Sequence, residues 1–334
     1  MKLVTGATGM VGAHLILQLL RNEPVVRAIY RHENSIKKTQ SFFKLKKSED
    51  LFLKIEWVKA DLLDVPALEI AFQNITEVYH CAALVSFDPR DEKVLRQTNI
   101  EGTANLVNLA IAFEVEKFCH VSSIAALGET LAKNKIINEK TNWNPELYHS
   151  DYAITKYGAE MEVWRGTQEG LKVIIVNPGI IFGQGFNYEG SNEFFQKIKK
   201  DFPFYTNGTA AIVSAEDVVN AMIHLMDSDL FNEKYIVVAN NITYQELLNY
   251  IAELMNKKPP FIFATKWLCR IAWRLDAFIS LISGKKRSFT KAIALSSHSK
   301  YTYDNQKLLQ VLPFTLKSYQ EFIPEIIQYH YTKK

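Results

Sequence analysis

The stretch that indicates the fold is MKLVTGATGMVG (Met1–Gly12), and its three glycines are Gly6, Gly9 and Gly12. Lys2–Thr5 has the apolar, β-branched character of a buried strand, and a helical pattern follows from Met10. Glycines at such a turn permit an unusual φ, let a pyrophosphate approach the backbone and let helix and strand pack closely. Free N–H groups at the helix start then point at the anion. The stretch predicts a dinucleotide-binding turn between a first strand and a first helix.

Downstream, short apolar runs alternate with helical patterns. The predicted further strands are Val25–Tyr30, Lys54–Val58, Glu77–His80, Lys117–Val121 and Val173–Val176. The predicted helices are Met10–Arg21, Ser35–Lys46, Val65–Phe72, Glu92–Phe113 and Tyr152–Gln168. Strands that alternate with helices form right-handed βαβ units around a parallel sheet. We therefore expect an α/β fold, a Rossmann-type doubly wound parallel sheet with a smaller C-terminal substrate lobe.

The domain organisation follows from where this alternation loosens. Residues 1–178 are predicted to form the dinucleotide-binding domain, and 179–334 mainly the substrate-binding lobe, with segments near 209–240 returning to the first domain. Glycines crowd residues 179–190, which predicts mobile loops over the site. Ser214 and Thr243 have the sequence context of helix starts.

Composition excludes several classes of protein. The 334 residues carry a net charge of +3, with 48% hydrophobic and 22% charged residues, which fits a folded globular chain and not a nucleic-acid-binding surface. Three scattered cysteines and no HxxxH pair predict neither a disulfide framework nor a metal site. No long uncharged apolar stretch or secretory leader is evident, so we expect a cytoplasmic protein.

Tyr152 and Lys156, in the run YAITK, lie one helical turn apart and therefore on one face. A nearby ammonium favours the phenolate and lowers a tyrosine pKa from its usual value of about 10. Tyr152 is therefore the predicted general acid or base. Ser123 ends the fifth predicted strand, 29 residues earlier, where its hydroxyl can orient a carbonyl. Ser122 is its nearest competitor.

Arg31 follows the second predicted strand, where a Rossmann fold binds the adenosine ribose. An acidic residue there binds the 2′-hydroxyl of NAD, whereas the planar guanidinium suits the 2′-phosphate of NADP. Lys37 and Lys38 can add positive charge from the next helix. The sequence thus favours NADP over NAD, with a solvated loop arginine as the alternative.

The GxxGxxG spacing, the YAITK run and the serine at 123 together resemble the extended short-chain dehydrogenase/reductase superfamily, the NAD-dependent epimerase/dehydratase group. The resemblance implies that Asn99 supports Lys156, that Asp61 and Leu62 contact adenine, and that a small-residue segment lies against the cofactor. The remaining cofactor-binding residues that it implies are Thr8, Met10, Val11, Cys81, Ala82, Ala83, Pro178 and Ile180, besides the three glycines, Tyr152 and Lys156.

Within the superfamily the chain looks most like the dihydroflavonol-4-reductase group. The shared features are Arg31, the run Glu139–Trp143, Ala159-Glu160 after the lysine, and the late element Tyr303–Lys307, in which Leu308 replaces a usual alanine. This resemblance implies an NADP(H)-dependent enzyme that reduces a ketone or aldehyde. Its partners would be a small carbonyl or alcohol substrate and a second copy of the chain, because homodimers are ordinary in the superfamily.

Two alternatives remain. A nucleotide-sugar epimerase or dehydratase shares the N-terminal half, but the chain has Ser123-Ile124-Ala125 where dehydratases carry Thr-Asp-Glu. Sugar-nucleotide enzymes also usually place an arginine just before the position of Val213, and the stretch GTAAIVSAEDVV here has none. Phe, Trp and Ile in the later segments favour an apolar or aromatic substrate. The second alternative is a non-catalytic NADP-binding sensor, against which the complete serine, tyrosine and lysine set argues.

Residues 261–283 read as one apolar helix, followed by the basic run Gly284–Arg287. A substrate-lobe helix or a dimer contact is the favoured interpretation. In the first case Trp267 or Trp273 would form an aromatic wall of the pocket. Peripheral membrane contact through 261–287 is the less favoured alternative.

Overall fold

The computed structural model describes residues 1–130, 135–186 and 190–331. For residues 330 and 331 it describes the backbone alone. The strands in chain order are β1 Lys2–Thr5, β2 Val26–Tyr30, β3 Ile55–Lys59, β4 Glu77–His80, β5 Lys117–Val121, β6 Ile136–Ile137, β7 Lys172–Pro178, β8 Ile180–Phe182, β9 Phe204–Tyr205, β10 Thr209–Ser214, β11 Glu233–Val237, β12 Asn240–Thr243, β13 Ile262–Phe263 and β14 Thr302–Tyr303.

The helices in chain order are α1 Met10–Leu19, α2 Glu33–Leu45, α3 Glu49–Phe52, α4 Val65–Phe72, α5 Glu92–Arg96, α6 Gly102–Ala112, α7 Asp151–Gln168, α8 Glu193–Lys199, α9 Ala215–Asp227, α10 Tyr244–Leu254, α11 Lys266–Ser283, α12 Lys291–Ser296, α13 Gln306–Leu309 and α14 Tyr319–Tyr331. A π-helical turn, Gln97–Glu101, joins α5 to α6. The helical pattern predicted over 92–113 is therefore present, with one π-helical turn inside it.

Within the described residues, the central sheet has seven parallel strands in the order β11-β7-β5-β4-β1-β2-β3. The chain moves outward from β1 through β2 to β3, then returns to β4 and continues in the opposite direction. The strand order therefore reverses between β1 and β4, which opens a crevice at their carboxyl ends. The prediction of a Rossmann-type α/β fold is confirmed.

Two apolar layers cover this sheet, because successive strand residues point to opposite faces. Val4 and Cys119 belong to a cluster with residues of α1, α2 and α9. Their sequence neighbours Leu3 and Phe118 belong to a second cluster with residues of α4, α6 and α7. The helix that carries Tyr152 and Lys156 is thus anchored on the second face of the sheet.

The later part of the chain forms a smaller layered unit. Its sheet has the order β12-β10-β8, and helices α8, α10 and α14 pack against it around a separate apolar cluster. One segment, β11, extends the central sheet, and α9 packs on the face that α1 covers. Lys307, from the late element Tyr303–Lys307, donates to the carbonyl of Lys234 on β11 at 2.7 Å. The division at residue 178 remains a prediction.

The apolar stretch 261–283 is not one helix, and this expectation was wrong. Ile262–Phe263 pairs as a strand with Phe204–Tyr205, and Thr265 then caps α11 by accepting from the Leu268 N–H at 3.2 Å. Trp267 is 69% exposed, so it does not form an inner wall. In the described part of the chain, no helix combines the length and apolar character needed to cross a lipid bilayer.

Candidate functional site

The glycine turn lies at the crevice between β1 and β4. Gly6 has φ +67°, and a Cβ there would lie 2.6 Å from the Ala82 nitrogen. A Cβ on Gly12 would lie 2.2 Å from the Gly6 carbonyl oxygen. Gly9, in contrast, would meet only that oxygen, at 3.4 Å, so its outer side is open. The turn is tight against the protein and accessible from the crevice.

This arrangement fits the pyrophosphate of a dinucleotide. Gly9 is the N-cap of α1, no side chain caps the helix, and its first turn contains no acidic residue. The first N–H groups of α1 therefore remain available to an anion. Among the other residues implied at this turn, Thr8 is partly exposed, and Met10 and Val11 begin α1.

The predicted adenosine end is formed by Arg31, just after β2, and Asp61, just after β3. Their side chains are 58% and 40% exposed, and Arg31 Nη1 lies 3.8 Å from Asp61 Oδ2. The Asp61 carboxylate also accepts from the Leu63 N–H at 3.0 Å. The structure thus brings the two residues together, and the Arg31 side chain is exposed. Leu62, which follows Asp61, is buried against Gly102.

The small-residue segment Cys81-Ala82-Ala83 passes beside the glycine turn. The Ala82 N–H donates to Thr5 Oγ1 at 3.2 Å, which ties the end of β4 to the end of β1. Cys81 is partly exposed, and burial raises its pKa to about 12, so it is a neutral thiol. At the far side of the crevice, Pro178 ends β7 and Ile180 begins β8. The predicted cofactor residues therefore lie along one edge of the sheet.

Tyr152 lies in the first turn of α7, and its hydroxyl is close enough to the Ser123 side chain to interact with it. Ser123 follows β5, and its Oγ accepts from the Ala125 N–H at 3.1 Å. Burial raises the pKa of Tyr152, and the interaction with Ser123 opposes that shift. The sequence predicted a lowered pKa for Tyr152. In the structure burial outweighs the contribution of Ser123, so the pKa is raised instead.

Lys156 is buried one turn further along α7, at 2% exposure. Its Nζ donates to the Val121 carbonyl oxygen at 2.8 Å, so the ammonium is held at the end of β5. Burial lowers the pKa of Lys156 to about 8, while the nearby Glu160 carboxylate raises it. The lysine is therefore close to its midpoint between charged and neutral at physiological pH.

Glu160, a further turn along α7, is fully buried. Its Oε2 accepts from Ser122 Oγ and from Asn177 Nδ2, each at 2.9 Å, and its Oε1 pairs with Lys234 Nζ at 3.1 Å. Asn177 also donates to the Ser123 carbonyl at 3.0 Å. The Ser122 hydroxyl is thus committed to Glu160, while Ser123 faces Tyr152. Sequence reasoning missed this role; a carboxylate one turn after the lysine was the available signal.

Asn99 does not bond Lys156 directly. Its side chain accepts from the Leu84 N–H at 2.7 Å and donates to the Leu84 carbonyl at 3.0 Å and to Thr155 Oγ1 at 3.1 Å. Thr155 lies between Tyr152 and Lys156 on α7. Asn99 is on the π-helical turn, a feature frequent at functional sites. It therefore helps to fix the helix that carries Tyr152 and Lys156, and its support of Lys156 remains a prediction.

A buried histidine connects Asn99 to the glycine turn. Thr103 donates to the Asn99 carbonyl, so it accepts from His80 Nε2 at 2.9 Å, and His80 Nδ1 then accepts from Thr5 at 2.8 Å. Burial lowers the pKa of His80 to about 3, which keeps the ring neutral. The hydrogen bonds thus run from the residue before Gly6 to the helix of Tyr152.

Phe87 packs edge-on against Tyr152, with ring centroids 5.6 Å apart. The loop that carries it is fixed to the segment after α11. Arg90 donates to the Lys285 carbonyl at 2.7 Å, and the Arg287 N–H donates to Asp88 at 2.9 Å. Phe87 is therefore held against Tyr152 by a loop that is tied to the segment after α11.

Within the described residues, no cluster of metal-ligating side chains is present. Of the glycine-rich loop 179–190 that was expected to cover the site, residues 187–189 lie outside the described residues.

The fold and the site together define a Rossmann-type enzyme with a nucleotide-binding turn beside a serine, tyrosine and lysine set. The model of the NAD dependent epimerase/dehydratase family matches residues 2–239, and the chain belongs to this family. The extended short-chain dehydrogenase/reductase resemblance is thereby confirmed, and the family uses a nicotinamide dinucleotide.

Similar proteins include both reductases and epimerases. Sterol demethylase protein B of Methylococcus capsulatus is 29% identical over 77% of this chain and 75% of that protein. A Synechocystis sp. protein provisionally named dihydroflavonol 4-reductase is 25% identical over 98% of this chain and 93% of its own length. Relatives named UDP-glucose 4-epimerase and cinnamoyl-CoA reductase 1, from Vibrio cholerae and Oryza sativa, are each 26% identical.

Solved structures share the whole fold. The crystal structure of gox2253 superposes with a TM-score of 0.82 at 24% identity, covering 98% of this chain and 97% of that one. At this identity the likeness establishes the architecture and not the reaction.

Proposed function

We propose that the protein is an NADP(H)-dependent oxidoreductase that reduces a ketone or aldehyde to an alcohol. The observation that carries the proposal is that Tyr152 and Ser123 interact beside buried Lys156 and next to the glycine turn. Two hydroxyls that converge at one point can bind one carbonyl oxygen, one by orienting it and the other by giving it a proton.

The chain supplies positioning and proton transfer. When bound, the reduced nicotinamide dinucleotide supplies the hydride, which no side chain provides. Gly6, Gly9 and the first N–H groups of α1 would hold its pyrophosphate. As the carbonyl oxygen gains negative charge, Ser123 stabilises it and Tyr152 delivers its phenolic proton to it. Lys156, when charged, stabilises the phenolate that remains.

The choice of NADP rests on Arg31. Its guanidinium is exposed after β2, and its contact with Asp61 is long, at 3.8 Å. An exposed pair of this kind contributes about 1 kcal/mol or less, so a 2′-phosphate can displace the carboxylate at small cost. A 2′-hydroxyl carries no charge, so it would gain less from the guanidinium than a 2′-phosphate does.

An apolar or aromatic substrate fits the approach to Tyr152. Phe87 contacts its ring edge-on at a centroid distance of 5.6 Å. An aromatic side chain of this kind packs well against planar or hydrocarbon surfaces. The relative named sterol demethylase protein B supports a hydrophobic substrate.

The first experiment is to titrate NADPH and NADH separately into the cofactor-free protein, with wild type and Arg31→Ala. We expect a preference for NADPH that falls by about tenfold or more in the variant, because a charge-assisted hydrogen bond to phosphate is lost. Arg21→Ala, at the end of α1, is the matched control and should bind NADPH like wild type.

A screen of hydrophobic aldehydes and ketones for NADPH oxidation follows. Equal binding of the two cofactors, together with turnover of a nucleotide sugar and no net cofactor oxidation, would replace this proposal with an epimerase. Tight NADPH binding with no turnover in either assay would favour the non-catalytic sensor instead.

A further inference from the structure

Helix α11 presents an apolar stripe to solvent along its whole length. The stripe consists of Trp267, Ile271, Leu275, Phe278 and Ile282. The spacings of four, four, three and four residues place these side chains on one helical face. Phe278 is 61% exposed and Ile282 is 71% exposed. Exposed apolar residues are ordinary when scattered, but a continuous stripe of this kind marks an interaction site.

Basic residues flank this stripe. Lys266, Arg270 and Arg274 follow each other at intervals of four residues, so they form one edge of the helix. All three are exposed, and Lys285 continues the positive charge after the helix, whereas Lys286 pairs with Asp91 at 2.8 Å. The acidic residue of α11, Asp276, lies on the inner side and pairs with Arg287 at 3.3 Å. The face is therefore apolar in the middle and positive at its edge.

The charge distribution selects among possible partners. In a two-fold contact between copies of this chain, the basic edges would lie in the same interface, and like charges there cost affinity. An anionic lipid surface meets both features at once, because the apolar residues enter the acyl region and the cations pair with headgroups. We propose that the apolar face of α11 and its basic edge dock on an anionic lipid bilayer, with the helix parallel to the surface.

The proposed docking face ends beside the candidate active site. The two residues after α11, Gly284 and Lys285, accept hydrogen bonds from Arg90 through their carbonyl oxygens. Arg90 belongs to the loop in which Phe87 packs on Tyr152. Docking would therefore bring the approach to Tyr152 close to the membrane surface, where apolar substrates are concentrated. The docking itself does not depend on the proposed reduction.

The test is sedimentation of the full chain with lipid vesicles, one set of phosphatidylcholine alone and one that also contains phosphatidylglycerol. We expect the protein to pellet with the anionic vesicles, and less when the ionic strength rises from about 0.1 M to about 1 M, since the Debye length falls from about 10 Å to about 3 Å. The double variant Phe278→Ser/Ile282→Ser should bind about tenfold or more weakly, because the apolar groups that enter the bilayer are gone.

The matched control is Leu53→Ser/Ile70→Ser, which removes two side chains of 84% and 67% exposure elsewhere on the molecule. It should pellet like wild type. The proposal is overturned when wild type stays in solution with anionic vesicles, or when the α11 variant pellets equally well. A wild-type dimer that the α11 variant dissociates, without vesicle binding, assigns the face to a second copy and also overturns it. Because pelleting requires no turnover, failure of the proposed chemistry leaves this result unaffected.

Discussion

Helices α7 and α11 each contain 18 residues, and they distribute their side chains in opposite ways. α7 buries Lys156 and Glu160, whereas α11 exposes Phe278 and Ile282. Charged residues are seldom fully buried unless paired, and a row of exposed large apolar residues is equally unusual. Each departure costs free energy in isolation. The buried charges of α7 are compensated inside the protein by hydrogen bonds, and we infer that the apolar face of α11 is compensated by a partner.

Replacing the tyrosine hydroxyl tests whether α7 carries the chemistry. Tyr152→Phe should lower kcat by about 10²–10⁴-fold, the usual contribution of a positioned general acid, while NADPH binding remains. Steady-state rates and a cofactor titration measure the two effects. Tyr157→Phe on the same helix keeps its stack on Trp143 and should remain active. A Tyr152→Phe enzyme with wild-type kcat would remove the assigned role.

Removing the buried carboxylate should destabilise the protein. In Glu160→Gln, Lys234 loses its counter-charge and Ser122 and Asn177 lose an ionic acceptor, which we expect to cost about 1–3 kcal/mol in the free energy of unfolding. Glu162→Gln, which breaks a more exposed pair with Arg165 on the same helix, should cost less than about 1 kcal/mol. Denaturant titration distinguishes them. Equal losses of unfolding free energy in the two variants would show that the buried interactions of Glu160 do not stabilise the protein more than an exposed ion pair does.

The titration of Lys156 should appear in the pH dependence of the reaction. Burial lowers its pKa to about 8, so kcat/KM for reduction should fall above about pH 8 as the ammonium is lost. Because Glu160 raises this pKa, the break should move to lower pH in Glu160→Gln. A break that stays in place in that variant would show that another group is responsible.

The same group links stability to pH. Its pKa lies below the usual 10.5, so between about pH 8 and pH 10.5 the unfolded chain binds more protons than the folded one. The contribution of Lys156 to stability therefore rises with pH across that interval. Lys156→Gln should lack this rise when unfolding is followed by denaturant at several pH values.

The smallest effect is expected on α11. Ile282→Ala should change the free energy of unfolding by less than about 0.5 kcal/mol, because the side chain is already 71% exposed. Val163→Ala on α7, at a fully buried position, should cost about 1–3 kcal/mol through lost burial and a cavity. A large loss from Ile282→Ala would mean that its side chain packs within the protein, and the docking proposal would lose its basis.

Much of the fold was readable from local patterns. Three elements have the predicted bounds: the strands Glu77–His80 and Lys117–Val121 and the helix Val65–Phe72. Each is defined by the periodicity of apolar residues within its own segment. The helical pattern predicted over 92–113 is present, but it contains a π-helical turn at Asn99, whose side chain bonds to Leu84 and Thr155, both distant in sequence. A pattern of neighbouring residues does not predict contacts between residues that are distant in sequence.

By itself, the sequence determined the parallel α/β fold, the glycine turn and the candidate set of Ser123, Tyr152 and Lys156. These depend on spacing and periodicity, which are properties of neighbouring residues. Only the tertiary structure decided that Ser122 bonds to Glu160, that Arg31 faces Asp61, and that α11 presents its apolar side outward. Burial and pairing arise when distant segments meet, so the environment of a charge or an apolar face is a property of the folded chain.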